Sequence, residues 1–184
     1  MSDVRLRRIR TSEVDTLLRH RIEEAGTMGQ PGPPPDPELA RPQLLERVMH
    51  SGAYHGGELL FGIEAGGRLV GEIQARCPEN AMPPGVFELG IGVFSSADRG
   101  KGIGRAAVAQ ITRRLFEDEG AHRVQAGTDM DNRAMRAVLE RLSFTFEGVM
   151  RGFMRMDDGP HDYALYALTA ADYEDVKAGW ISTS

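Results

Sequence analysis

Asp98-Arg99-Gly100-Lys101-Gly102-Ile103-Gly104-Arg105 is the stretch on which the reading of this 184-residue sequence turns. It lies between the end of a β-rich run, Val86 to Phe94, and an amphipathic stretch whose apolar stripe is Val108, Ile111 and Leu115. Glycine lets the backbone turn sharply and lets a ligand approach with no Cβ in the way. The first amides of the helix that follows have no partner inside it, and the helix dipole adds positive potential at the same place. Such a spot suits a phosphate or pyrophosphate, with Lys101 and Arg105 adding charge. The same residues also make a tight strand-to-helix turn with solvated basic side chains, and on this segment alone both readings stand. A nucleotide P-loop is excluded, because no Lys-Ser or Lys-Thr occurs in the chain. A dinucleotide fingerprint fails because Arg105 fills the position of its third glycine.

Outward from this turn, the run 86–94, a helix of about 15 residues and a strand over Arg123 to Thr128 form a strand–helix–strand unit. Its two strands are therefore parallel with a right-handed crossover. Upstream, Leu59 to Ala65 and Arg68 to Arg76 flank Gly66-Gly67, a hairpin signal because both glycines tolerate positive φ. Downstream, Ala134, Met135, Val138, Leu139 and Leu142 follow helical spacing from Asn132. Strands over about 144–150 and 162–168 and a short helix over about 170–178 complete the chain. The first 58 residues predict a short strand at Leu6 to Arg10, a helix opened by Ser12-x-x-Asp15 and ending near Glu24, and a second helix over about 38–50. Thr27 to Pro37 separates the two helices, since its prolines and glycines suit neither helix nor sheet interior. The sheet outside the parallel pair is expected to be antiparallel.

Composition narrows the class. Lys and Arg number 22 against 27 Asp and Glu, a formal net charge of −5, which argues against nucleic acid as the main partner. The 22 glycines and 10 prolines stay below the share at which low-complexity disorder becomes the better reading. The longest uncharged run, Ala25 to Pro35, is 11 residues with four prolines, so no membrane partner is expected where a span needs about 20 apolar residues. The N-terminal residues carry no signal-peptide core, and Cys77 stands alone. A cytoplasmic, reducing location is the expectation. The five histidines show no paired metal spacing, so no metal is expected. No serine has glycine at both −2 and +2, so a hydrolase elbow is absent. Arg5, Arg7, Arg8 and Arg10 read as a solvated edge strand.

The pattern Arg-x-x-Gly-x-Gly, present as Arg99-Gly100-Lys101-Gly102-Ile103-Gly104, resembles the acetyl-CoA signature of the GNAT N-acetyltransferase superfamily. Asn132, the run Val138-Leu139-Glu140-Arg141-Leu142-Ser143-Phe144, Glu147-Gly148, Asp158-Gly159 and Asp162-Tyr163 resemble the RimJ/RimL-like branch, in the same order. The resemblance covers roughly residues 59–169. It implies an α/β (α+β) GNAT acyl-CoA N-acyltransferase fold: a mixed, mostly antiparallel sheet, a central parallel pair splayed to hold acetyl-CoA, and helices on both faces. It implies a single N-acetyltransferase domain over 1–184, with N-terminal helices and an acceptor-side loop (about 1–58), a cofactor-binding core (about 59–169) and a C-terminal helix and tail (about 170–184). Acetyl-CoA is the implied co-substrate. Its contacts map onto Ile91, Gly92, Val93, Arg99, Gly100, Lys101, Gly102, Ile103, Gly104, Arg105 and Asn132, although Asn132 by itself reads as an N-cap. A homodimer is compatible with the resemblance.

Amine acetylation sets three chemical needs. An alkyl amine of lysine type has a pKa of about 10.4, so a base must help remove its proton. On the run 86–94, Glu88, Gly90 and Gly92 share one face, and the two glycines leave an empty strip beside Glu88, the candidate base. A surface strand carboxylate is the alternative reading of Glu88. The developing oxyanion needs donors, which backbone N–H groups near Val93 would supply from a bulge expected at Gly90 to Val93. The departing thiolate needs a proton, yet Met135 and Leu139 occupy the positions where the family carries Ser or Tyr. Tyr166 is a reserve acid, and Tyr163 reads as a core or cleft-lining residue. Ser143 stands where the family has Gly and reads as a tolerated turn variant. The 27–37 loop is expected to border the acceptor entrance. A catalytically weak acyl-CoA-binding module on the same fold is the alternative function.

Overall fold

The computed structural model describes residues 3–26 and 32–181. Its strands are β1 (Val4–Arg7), β2 (Tyr54–His55), β3 (Glu58–Ala65), β4 (Arg68–Arg76), β5 (Val86–Val93), β6 (Arg123–Asp129), β7 (Thr145–Met156) and β8 (Gly159–Thr169). The helices are α1 (Val14–Glu23), α2 (Pro37–Met49), α3 (Ile103–Glu117), α4 (Arg133–Arg141) and α5 (Ala170–Ile181). The sheet runs in the order β1-β3-β4-β5-β6-β8-β7, with β2 added beside β3. Every neighbouring pair is antiparallel except β5 with β6. This is the mixed α/β arrangement that the resemblance implies, an open sheet with helices on both faces. No described helix is long and apolar enough to cross a membrane.

Alternation along the strands divides the apolar residues between two faces. Phe87, Leu89, Val124, Ala126, Tyr166 and Leu168 turn to one face, where they pack with Ile103, Ala107, Val108, Ile111 and Leu115 of α3, Leu139 of α4 and Tyr173 of α5. The α3 residues recur at helical spacing and are all nearly inaccessible. The opposite face is smaller: Leu60 and Ile9 pack with Val14, Leu17 and Leu18 of α1 and Leu44 and Val48 of α2. That face carries the polar residues of β4 and β5 and remains partly open.

Local chemistry fixes the joints. Gly66 and Gly67, both at positive φ (58° and 76°), close the β3–β4 hairpin as their spacing predicts. Asp36 caps α2 by accepting the Glu38 N–H at 3.0 Å, ahead of Pro37 at the first helical position. Residues 27–31 of the expected entrance loop lie outside the described residues.

Four expectations are corrected. The first strand is Val4–Arg7 rather than Leu6–Arg10, because Ile9 leaves the sheet to join the α1–α2 cluster and donates its N–H to Ser51 Oγ at 2.9 Å. Arg5 and Arg7 are not simply solvated: both reach the buried Glu64 carboxylate, at 2.7 and 2.5 Å, and Arg7 also pairs with Glu13. The last hairpin is longer than read, Thr145–Met156 with Gly159–Thr169, since irregularities near Gly148 and Gly152 interrupt its alternation without ending it. The bulge expected at Gly90 to Val93 is absent. The β4–β5 register runs unbroken from Gly71↔Val93 to Arg76↔Glu88, and the splay arises because β6 departs, not because β5 kinks.

The end of α4 explains Ser143. The Phe144 N–H donates to the Leu139 carbonyl and the Ser143 N–H to that of Glu140, both at 3.0 Å, while buried Phe144 and Leu139 share the core. This closure places Ser143 in the left-handed region at φ 61°, where glycine is at ease and a Cβ costs about 1–2 kcal/mol. Ser143→Gly is expected to raise unfolding stability by about 1 kcal/mol in urea denaturation, with no change in fold.

Candidate active site

The parallel strands β5 and β6 pair over only three positions, Val86↔Arg123, Phe87↔Val124 and Glu88↔Gln125. Beyond these, β5 stays zipped to β4 through Val93 and β6 to β8 through Asp129, so the two part and a gap opens between their C-terminal halves. The Phe94 N–H donates to the Val70 carbonyl on β4. Main-chain groups alternate in direction along a strand, so those of Ile91 and Val93 turn away from β4 into the gap. Gly92, between them, has open space where a Cβ would stand.

The glycine turn sits at the wide end of this gap. Gly100 and Gly102 adopt φ of 74° and 80°, and a Cβ on either would meet nothing within 4 Å. Gly102 is the N-cap of α3, and the first helical hydrogen bond runs from Ala106 N–H to Gly102. The amides of Ile103, Gly104 and Arg105 are thus without partners inside the helix, at the end where its dipole favours an anion. Gly104 brings α3 close to β5, 4.0 Å from Ile91 Cδ1 to its Cβ position. A bare left-handed turn, free amides and a gap lined by main chain together fit a pyrophosphate joined to an extended amide-bearing arm, as in CoA.

Three of the predicted contact residues have partners within the chain. The Arg99 guanidinium donates through Nε and Nη2 to the Val93 carbonyl (3.3 and 3.2 Å) and through Nη2 to Glu24 (2.9 Å). It therefore braces the end of β5 against α1. Lys101 lies 3.7 Å from Asp98 and remains mostly exposed. Asn132 caps α4, its Oδ1 accepting the Met135 N–H at 3.1 Å.

Glu88 stands at the closed end of the gap, on the face away from α3, and pairs across the strands with Arg76 at 2.9 Å. On the same face Arg21 of α1 forks onto Glu72 at 2.8–3.0 Å, and Arg47 of α2 holds Glu58 and Gln74. Met135 and Leu139 are apolar and packed against the core. The Tyr166 hydroxyl donates to Glu140 Oε1 at 2.7 Å and lies 3.3 Å from Arg136 Nε; burial, then Glu140, pushes its pKa up.

Sequence reasoning missed Gly127, which the β5–β6 register, extended past Glu88↔Gln125, sets across the opening from Gly90; its place between Gln125 and Asp129 on one face of β6 was the available signal. It also missed the pairing of buried Asp129 with part-exposed His161. Asp129, at the end of β6, contacts His161 Nδ1 through Oδ2 at 2.6 Å and accepts the Asp131 N–H through Oδ1 at 2.8 Å, while His161 Nε2 reaches Asp158 at 2.9 Å. The hydrogen bond to Asp129 chiefly holds the His161 pKa above its ordinary value, against desolvation.

The sequence matches the acetyltransferase (GNAT) domain family over residues 3–145. Among solved structures, Mycobacterium smegmatis RimJ in complex with CoA-disulfide is 27% identical, with a TM-score of 0.75 over 96% of this chain and 89% of that one. RimL, a ribosomal L7/L12 alpha-N-protein acetyltransferase crystallised with CoA, is 19% identical (TM-score 0.76; 92% and 95% covered) and shares the fold. So does the spermidine N-acetyltransferase of Vibrio cholerae in complex with CoA and spermine, 14% identical (TM-score 0.79; 93% and 98% covered). No curated protein matches the sequence at a significant level. The chain belongs to the GNAT acetyltransferase family, on its RimJ/RimL-like side, and is an N-acetyltransferase.

The His161 pair has a measurable sign. A raised folded pKa means that the pair's contribution to stability is complete below about pH 6.5, the unfolded value, and is lost as pH rises through the folded pKa. An NMR titration is expected to place His161 above an ordinary histidine, and Asp129→Asn to bring it down; an unshifted His161 in the native protein refutes the assignment.

Proposed function

We propose that this protein transfers an acetyl group from acetyl-CoA to a primary amine by direct attack within a ternary complex. The observation that carries the reading is the gap between β5 and β6, lined by main chain, open at the unpaired amides of α3 and closed at Glu88. Acetyl-CoA supplies the activated acyl carbon. Ile103, Gly104 and Arg105 offer N–H groups to its pyrophosphate, with Gly100 and Gly102 giving clearance and Lys101 and Arg105 adding positive charge. The Ile91 and Val93 main chain and Gly92 border its extended arm, and their N–H groups are the donors available to the acyl oxygen. Asn132, at the start of α4, flanks the same opening.

Glu88 draws the proton from the attacking amine, directly or through water. Its partner Arg76 keeps the carboxylate on the acceptor face, on the same side of β5 as Gly90 and the open Gly92. No hydroxyl stands at residues 135 or 139, and the Tyr166 proton is directed to Glu140. The departing thiolate then takes its proton from solvent, which a thiol pKa of about 8.5 tolerates. The N-terminal amine of a protein and a small-molecule amine both satisfy this chemistry.

The apolar character of Met135 and Leu139 favours a second reading, a weakly active acyl-CoA-binding module. The two readings separate on Glu88→Gln. For a transferase, this substitution is expected to lower kcat at pH 7 by about 10²-fold or more while acetyl-CoA affinity changes less than about twofold. Turnover equal to wild type across the pH range removes Glu88 from the mechanism, and tight acetyl-CoA binding without turnover on any amine favours the module.

A further inference from the structure

The acceptor face of the opening is built unevenly, and the unevenness selects a substrate. Gly90 and Gly92 on β5 and Gly127 on β6 have ordinary strand φ values, so the backbone does not require glycine at any of them. What they share is a missing side chain on one face, on both lips of the gap. A nucleophile approaching from that face meets no Cβ from the lips themselves; the Gln74 amide, 2.9 Å from the Gly90 Cβ position, and Met150 border its way, and Gly92 stands open.

The β6 lip is apolar. A Cβ on Gly127 would lie 3.2 Å from Met150 Cε and 3.8 Å from Tyr163 Cδ1. Leu165 is the cross-strand neighbour of Gly127, and Met150 that of Tyr163, so all three side chains share the acceptor face. Phe153 leans on the Tyr163 ring with centroids 5.2 Å apart, yet 53% of it is exposed, and it belongs to neither core cluster. An exposed aromatic resting on a tyrosine whose cross-strand neighbour is Met150, on the face of the reaction opening, is an apolar surface left uncovered among the described residues.

The charges on the same floor are already matched. Glu58 is held by Arg47, Glu72 by Arg21, Glu88 by Arg76 and Asp129 by His161, at 2.6–2.9 Å. An acceptor bringing several ammonium groups would have to break one of these pairs for each extra charge, whereas a single amine needs only Glu88. Resting on the transferase reading above, we propose that the acceptor is a monoamine carrying an apolar or aromatic group next to its nitrogen. The group packs on Met150, Phe153, Tyr163 and Leu165 while the nitrogen enters between Gly90 and Gly127.

The test is calorimetric titration of 2-phenylethylamine and of spermidine into the protein held with CoA, a readout that needs no turnover, with acetyl transfer from acetyl-CoA to both amines assayed in parallel. The phenyl amine is expected to bind at least about tenfold tighter than spermidine. Phe153→Ser and Met150→Ser are each expected to weaken it by about tenfold while CoA affinity stays at the wild-type value. Phe153 is exposed, so its variant keeps the fold. Equal or tighter binding of spermidine, no binding of the phenyl amine, or phenyl-amine affinity unmoved in both variants overturns the inference. Spermidine acetylated in preference to the phenyl amine overturns it while leaving the transferase reading intact. Binding of the phenyl amine without acetylation of either amine supports the apolar surface and overturns the transferase reading instead.

Discussion

The parting of β5 from β6 after three residue pairs is the constraint from which the rest of this structure follows. A parallel pair inside a sheet ordinarily continues, because each unpaired N–H or carbonyl withheld from water is costly. Here both strands are held from outside: six cross-strand pairs bind β5 to β4, and seven bind β6 to β8. These antiparallel ladders diverge with the twist of the sheet, and the shared edge opens. The main-chain groups left along the gap are satisfied by water or by a ligand with amides of its own. A thioester on an amide-bearing arm meets that requirement, and the free amides of α3 stand where the arm's pyrophosphate would emerge.

The glycines divide into two kinds by physical role. Gly100 and Gly102 are needed for their backbone, since both take positive φ to turn β5 into α3. Gly90, Gly92 and Gly127 take no positive φ; glycine spares side-chain room there, since a Cβ on Gly90 would crowd Gln74 Nε2 at 2.9 Å and one on Gly127 would crowd Met150 Cε at 3.2 Å, while Gly92 stands open. The first kind turns the chain into α3, and the second lies along the gap. Arg99 links these parts to the acceptor side by bonding both the Val93 carbonyl and Glu24, so the end of β5 and the end of α1 share one guanidinium.

The polar floor shows why burial and charge pairing must be read together. Arg21 and Glu72 expose only 20% and 13% of their side chains, and such a pair is costly to leave half-made. Exposed pairs such as Arg41 with Asp15 contribute little by comparison. The buried pairs fix α1 and α2 over the β4 side of the gap. Among the described residues no such cover lies over the β6 side, where Met150 and Phe153 border the opening.

The sequence by itself determined the order of elements, the parallel crossover and the glycine turn into α3, because each is encoded by neighbours within a few residues: apolar spacing, paired glycines, an N-cap. It pointed to Glu88 by alternation along one strand. It could not show that Arg76 holds Glu88, that Arg99 bonds Val93 and Glu24, that Asp129 meets His161, or that Gly127 opposes Gly90. Those pairings depend on cross-strand register and helix placement, which bring together residues as much as 75 positions apart. The expected β5 bulge failed for the same reason: a gap between strands is decided by what holds each strand on its other side, and only the assembled sheet contains that information.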